Sequence, residues 1–339
     1  MSYKDTQRLF SSLDSSLTHQ KGSVTGASIL VAGTTIGAGI LALPYTTQDA
    51  GFVPSSAAIL GTYAFSIVTG LLLAEANINL MCELGQGGVS ITSIAQATLG
   101  RTGARLSSAA YLLLHYSLLV AYTAKSGEIC SGLLGGSADS STIFWSVPFC
   151  GTLAAGCYFL KPQDLDRGNG ILLAAVVLSF MGLVWLTSAQ INPANLAHSE
   201  WTAVPGTLPV LSLAFVYQNV VPIICSRLEG DIDKLPSGQQ NRLPFALTVV
   251  PPFGLAALFP DLFFKALDLA GTYGVLSLFG VLPAAAVWSQ RSADNQQFSA
   301  FRAVPGGNLT LLATGAIAGG IIVNQLFNAV LSIPQVEIR

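Results

Sequence analysis

Between Lys21 and Arg339 the chain holds nine stretches of 18 or more residues without a single Asp, Glu, Lys or Arg. They are 22–48, 50–74, 106–124, 140–160, 168–199, 201–226, 243–260, 269–290 and 303–336. About 20 mostly apolar residues cross a bilayer core as a helix, so each stretch is a candidate span. Composition agrees: 9% of the 339 residues are charged and 51% are hydrophobic, and the mean hydropathy is +0.60. A soluble domain carries about a quarter of its residues charged. The expected fold class is therefore all-α integral membrane. The net charge of −2 gives no reason to expect a nucleic-acid partner. The stretch 84–100 is also uncharged, but Gln86, Ser90, Thr92, Ser93, Gln96 and Thr98 make it too polar to insert, and it reads as an amphipathic or irregular loop.

The few charges orient the spans. With residue 1 on the cytoplasmic or equivalent side and nine crossings, Lys4, Arg8, Lys21, Arg101, Arg105, Lys161, Arg167, Arg227, Lys234, Arg242, Arg291 and Arg302 fall inside, 12 of the 15 basic residues. Lys265 and Arg339 fall outside, and Lys125 lies within a span. The positive-inside rule selects this orientation, because the reverse inverts the asymmetry. Residues 1–21 form a polar tail unlike a secretory signal, and Asp5 and Asp14 argue against a transit peptide.

Helix breakers inside spans mark where chemistry can sit, since freed backbone must be satisfied by neighbours, water or a ligand. The first span contains Gly33-Thr34-Thr35-Ile36-Gly37-Ala38-Gly39 followed by Pro44. If the helix unwinds there, the amides of Gly37, Ala38 and Gly39 open a half-helix whose positive end can hold a carboxylate, while carbonyls on the other side suit an ammonium or small cation. Close packing is the alternative, because Gly33 and Gly37 also form a G-x-x-x-G. The sixth window holds Phe215-Val216-Tyr217-Gln218-Asn219 and then Pro222, which is expected to free the carbonyl of Gln218. The Gln–Asn pair reads either as an interhelical clamp or as part of a site. Paired interruptions in two halves of a membrane chain point to a transporter site near the midplane.

In the third span Tyr111, His115, Leu118, Tyr122 and Lys125 recur at helical spacing on one face. Lys125 and Glu128, three apart, can neutralise one another, either as coupling groups or as a structural pair near the outer end of the span. His115 reads as a hydrogen-bonded packing residue, and Glu75 as a carboxylate that snorkels from the inner end of the second span. The five cysteines include no C-x-x-C, so neither a zinc site nor a redox pair is expected, and Cys130, Cys150, Cys157 and Cys225 read as packing residues. No H-E-x-x-H, G-x-S-x-G, G-x-G-D or P-loop occurs, so neither an enzyme nor ATP drive is expected.

The run Gly33-Thr34-Thr35-Ile36-Gly37-Ala38-Gly39-Ile40-Leu41-Ala42-Leu43-Pro44 resembles the first-helix motif of the aromatic amino-acid (tryptophan/tyrosine) permeases, within the amino acid–polyamine–organocation superfamily. Ala121-Tyr122 with Gly127-Glu128, and Phe215 through Pro222 followed by Leu228-Glu229-Gly230-Asp231, resemble its plant and algal branch. The resemblance runs from about Gly22 to Lys234 and resumes near Arg242. It implies a leucine-transporter-like bundle of two inverted five-helix repeats plus an eleventh helix, working as a symporter by alternating access and driven by H+ or Na+, without a cofactor. Carried over by position, it implies that Thr35, Gly37, Ala38 and Gly39 cradle a substrate carboxylate. Carbonyls near Gly33 and Phe215 would face the ammonium, Tyr217, Gln218 and Asn219 would line the side-chain pocket, and Thr34 is counted with the substrate-binding residues.

The sequence departs from that pattern after Asp231-Ile232-Asp233-Lys234, where Leu235 to Arg242 leads into what resembles the ninth helix. On this reading two helices, the seventh and eighth, are missing, which leaves about nine and removes half of the expected cation site. The domain reading is a tail at 1–21 and a transporter domain at 22–334, with a first repeat near 22–190, an incomplete second repeat near 201–290 and a last helix near 308–334. The expected function is secondary transport of an aromatic amino acid, with substrate at the interrupted first and sixth segments. The alternative is a non-transporting truncated isoform that binds or regulates within a plastid envelope or plasma membrane.

Overall fold

A computed structural model describes residues 24–35, 38–84, 89–133, 141–160, 162–188, 196–228, 263–292 and 301–331. The described residues are helical apart from short connections. The elements are α1 (Val24–Thr35), α2 (Ala38–Thr47), α3 (Phe52–Leu84), α4 (Ile91–Leu133), α5 (Ser141–Phe159), α6 (Pro162–Ser188), α7 (Val204–Ala214) and α8 (Val221–Leu228). A continuous rod follows, made of α9 (Phe263–Leu269), a π-helical segment (Ala270–Val281) and α10 (Leu282–Ser292), and then α11 (Gly307–Leu331). Six stretches among the described residues are long and apolar enough to cross a membrane: Phe52–Leu84, Ile91–Leu133, Gly170–Ser188, Trp201–Ser226, Phe263–Ser292 and Gly307–Leu331. The protein is an all-helical integral membrane protein. The window 243–260 lies outside the described residues.

The stretch read as a polar loop folds as the first turns of α4. Ile94 and Ala95 are fully buried there, while Ser90 caps the start by accepting from the Ser93 amide at 3.1 Å. Gly100, at φ 70° and ψ −165°, then redirects the chain into the long spanning part of α4, a conformation open mainly to glycine. This places an amphipathic helix beside a span, which residue polarity alone did not distinguish from a loop.

The core lies where α3, α4, α7 and the π-helical segment meet. Leu72, Leu73, Leu114, Leu211, Leu276, Leu278 and Phe279 are buried there. Gly271 permits that meeting, because a Cβ on it would stand 2.1 Å from the Pro209 carbonyl oxygen of α7. The wide ladder is seen at its end, where the Leu282 amide donates to the Ser277 carbonyl, five residues back. By contrast, none of the most apolar window of Gly170–Ser188 is buried, so most of α6 faces lipid.

At the end of α3 that the sequence reading placed inside, the structure corrects the reading of Glu75. It does not snorkel: its carboxylate is fully buried and takes a bidentate pair from Arg291, with Nε and Nη2 each at 2.8 Å, plus the Ala303 amide at 2.8 Å. The same guanidinium donates to the carbonyls of Val304 and Gly307 at 3.3 Å. Glu75 lies about 35 Å along α3 from Phe52 at the usual helical rise. Around it Gln290 donates to the Ala76 carbonyl, Asn79 to that of Phe301, Asn77 to that of Val89 and Ser289 to that of Thr98. These bonds tie α3, α4, α10 and the segment before α11 into one polar joint.

Candidate functional site

Two helix ends from opposite halves of the chain face each other across a cavity. Helix α1 ends at Thr35 and α2 begins at Ala38, with Ile36 and Gly37 outside the described residues. Thr34 donates to the carbonyls of Leu30 and Val31, and Thr35 donates to Val31 at 2.9 Å. Both hydroxyls thus bond back into the last turn of their own helix. Ala38 and Gly39 are the first described residues of α2. Pro44 sits inside α2 without ending it.

The second interruption lies at Phe215–Tyr217, earlier than Pro222 suggests. Helix α7 stops at Ala214, Phe215 takes φ −98° and ψ 15°, and Tyr217 takes φ −133° and ψ −4°. The Gln218 carbonyl is not freed, because the Val221 amide donates to it across a 3-10 turn spanning Gln218–Val220. Pro222 instead falls in the first turn of α8, where a missing N–H costs nothing.

A cavity of about 230 Å³ lies between these ends, lined by Val31, Thr35, Tyr63, Ser66, Ile67, Phe215 and Tyr217. Ser66 is about 21 Å along α3 from Phe52, in the middle of that span. Tyr63 and Phe215 meet edge to face with centroids 5.8 Å apart. The Tyr217 hydroxyl donates to the Ser66 carbonyl at 3.2 Å and sits in a notch left by Gly70, where a Cβ would stand 2.2 Å from the phenol oxygen.

Of the residues singled out from sequence, Thr35, Phe215 and Tyr217 line this cavity. Gln218 does not. It is 2% exposed, accepts from the Tyr217 amide at 3.0 Å and donates to Thr69 Oγ1 at 2.9 Å, so it satisfies a backbone group freed by the interruption and fastens that turn to α3. Its neighbour Asn219 buries its side-chain oxygen with no partner among the described residues, on a turn that packs against α1. Gly33 makes only ordinary contact, its would-be Cβ lying 3.6 Å from Leu173. Tyr63, Ser66 and Ile67 were missed. Their signal is the recurrence of Thr62, Tyr63, Ser66 and Thr69 at helical spacing in the uncharged window 50–74.

The polar residues of α4 lie elsewhere. Lys125 bonds both Glu128 oxygens, at 2.7 and 2.8 Å, and lies 5.6 Å from the Phe263 ring centre. His115 bonds the Tyr111 carbonyl at 2.8 Å and stacks on the Tyr111 ring, while Tyr122 is exposed on the same outward face. Glu75 belongs to the inner joint. Among the described residues no group of three His, Cys, Asp or Glu side chains is placed to hold a metal.

Six long apolar helices and an aromatic cavity beside an interrupted turn define a polytopic membrane protein. The sequence profile of the tryptophan/tyrosine permease family matches residues 20–238 and 236–326, and the chain belongs to that family. The tyrosine-specific transport system 1 of Haemophilus influenzae is 26% identical over 214 residues, covering 62% of this chain and 51% of the relative. The tryptophan-specific transport protein of the same organism is 29% identical over 223 residues, covering 62% and 52%. The low affinity tryptophan permease of Escherichia coli O157:H7 is 30% identical over 218 residues, covering 61% and 51%. The chain spans about half the length of these curated relatives. No solved structure matches it.

Proposed function

We propose that the chain is a secondary active transporter of an aromatic amino acid, tyrosine or tryptophan, and that its substrate occupies the cavity between α1, α3 and the Phe215–Tyr217 turn. The observation that carries this is a cavity walled by Thr35, Tyr63, Phe215 and Tyr217, set beside the interrupted turn at Phe215–Tyr217. In this reading the amides of Gly37, Ala38 and Gly39 hold the carboxylate, supported by the positive end of α2. Carbonyls at the end of α1 near Gly33 and Thr34, and at Phe215, receive the ammonium, with the Asn219 oxygen as a further acceptor. The three aromatic rings take the side chain. The names of most of the relatives specify tyrosine or tryptophan and support the substrate class, although one relative, from Aliivibrio fischeri, is named as a glutamine transporter. Coupling is to H+ or Na+, the basic loops face the cytoplasm or stroma, and the chain belongs to the plant and algal branch of the family.

A second reading has a specific observation in its favour. The family profile matches in two pieces, residues 20–238 and 236–326, that overlap at 236–238. If two helices are missing there, the chain binds substrate, or a longer sibling, without moving it. Reconstitution in vesicles separates the two. Labelled tyrosine or tryptophan should accumulate under an imposed proton or sodium gradient. Saturable binding without gradient-driven uptake selects the second reading, and neither binding nor uptake by folded protein rejects both. Sequencing the transcript from Lys234 to Arg242 tests the missing pair directly.

A further inference from the structure

Four side chains bearing a hydroxyl border the cavity beside the Phe215–Tyr217 turn, and they differ in whether that hydroxyl already has a partner. Thr35 donates to the Val31 carbonyl at 2.9 Å, and Tyr217 donates to the Ser66 carbonyl at 3.2 Å. Tyr63 is 52% exposed, so its side chain is not enclosed. Ser66 is the exception. It is 3% exposed, and its Oγ makes no hydrogen bond among the described residues.

The backbone of Ser66 is covered on its other side. Its carbonyl accepts from Thr69, Tyr217 and Gln218 at 3.1, 3.2 and 3.4 Å, and the Tyr217 phenol that reaches it rests in the notch at Gly70. A helical Cα–Cβ bond tilts the opposite way, toward the N-terminus. For Ser66 that is toward Tyr63, which with Ser66 and Ile67 forms the α3 wall of the cavity at positions i, i+3 and i+4. What Ser66 presents to the cavity is therefore its side chain. One rotatable bond separates the backbone from Oγ, so the hydroxyl is within reach of whatever fills the space. A hydroxyl withdrawn from water without a partner is unfavourable, and a ligand that supplies the partner removes that cost.

We propose that Ser66 is a specificity-determining residue of this cavity: its hydroxyl bonds the polar atom on the substrate's ring, the phenol O–H of tyrosine or the indole N–H of tryptophan, and so selects both against phenylalanine. This rests on the reading of the cavity as the substrate site. The rings of Tyr63, Phe215 and Tyr217 contact any aromatic side chain, whereas a serine hydroxyl accepts from an O–H or N–H and gains nothing from a bare ring. With phenylalanine bound, Oγ would be sealed under hydrocarbon. A site built to bond a polar group rejects the analogue that lacks it in this way.

Equilibrium competition on the purified full chain, with tyrosine, tryptophan and phenylalanine displacing labelled tyrosine or tryptophan, tests this. Wild-type protein should bind tyrosine and tryptophan about tenfold or more tighter than phenylalanine. Ser66→Ala should lower the affinity for the first two by about tenfold and leave that for phenylalanine unchanged or higher, bringing the ratios near one. Ser66→Thr keeps a hydroxyl and should keep the preference, even where its added methyl weakens all three ligands. Should the alanine variant fail to fold, 1-methyltryptophan, which lacks the N–H, decides on the wild-type chain: it should bind no better than phenylalanine. A preference that survives Ser66→Ala, parallel losses for all three ligands, or 1-methyltryptophan bound as tightly as tryptophan would each overturn the role of Ser66 while leaving the cavity as the substrate site. Binding of none of the three amino acids by folded wild-type protein would overturn this inference together with the substrate reading.

Discussion

Ser66 and Glu75 lie on the same helix, yet their surroundings treat polarity in opposite ways. At Glu75 the carboxylate is closed off by a bidentate arginine and a backbone amide, and adjoining side chains bond to four different backbone segments. At Ser66 the polar groups border an unfilled volume, and helix ends from two distant parts of the chain stop beside it. The joint around Glu75 pairs its charges with each other, although Asn77, Asn79 and Gln290 bury side-chain oxygens with no partner among the described residues. The midplane leaves polar groups facing a cavity that an amphipathic ligand can fill. Burial of a polar residue at membrane depth is thus not evidence of a site. Whether its partners already exist in the protein decides.

The largest expected effect comes from opening the closed region. Arg291→Ala leaves a fully buried carboxylate with one backbone donor, and should cost about 3–5 kcal/mol, as for other broken buried pairs. Thermal melts of the detergent-solubilised protein read this as a large drop in midpoint. Glu75→Met with Arg291→Met should recover most of the loss, because packed apolar groups substitute well for a buried pair. If Arg291→Ala melts like wild type, the inner joint is not the fixed point that the geometry describes.

Filling the open region should do the reverse, costing modest stability and much binding. Gly70→Ala places a methyl where the Tyr217 phenol now sits and drives that ring into the cavity. Overpacking of this kind costs about 1–3 kcal/mol, while the affinity for tyrosine or tryptophan should fall by about tenfold or more. A scintillation proximity assay checks the affinity. Unchanged affinity in a folded Gly70→Ala protein would detach the cavity from substrate binding. Next in size is Gln218→Leu, which strands the Tyr217 amide and Thr69. It should destabilise by about 1–3 kcal/mol, with the loss read in the melt as well as in affinity, because this residue holds the turn rather than the ligand.

The contrast between the two regions also explains what could be read in advance. Spans were legible because the absence of charge over 18 or more residues is a local property with one physical cause. So was an interruption in the sixth window, while the one expected at Gly37 falls on residues outside those described. The place of the sixth-window break was not. Pro222 looked like the breaker, but proline in the first turn of a helix is tolerated, and the chain departs from helix at Phe215–Tyr217 because Gln218 supplies a substitute acceptor. The fate of Glu75 was illegible for another reason: Arg291 stands 216 residues away, and nothing local to either announces the other. The cavity wall on α3 carried a faint signal in Thr62, Tyr63, Ser66 and Thr69, hidden because none is charged.

Lys125 and Glu128 give the smallest expected effect and the finest test of the distinction. The spacing made them candidates for coupling, but their side chains are 36% and 63% exposed and pair within one turn of α4. Lys125 lies about 36 Å along the helix from Arg101, at the outer margin of the span rather than near the cavity. An exposed pair of this kind contributes about 1 kcal/mol or less, so Glu128→Gln should barely move the melting midpoint or the affinity for substrate. Its effect on uptake at a fixed gradient should be equally slight if the pair is structural. A variant that binds normally but loses its response to the gradient would instead place coupling at the outer end of α4, and the division between closed and open polar groups would need a third class, one that is paired at rest and opened by the transport cycle.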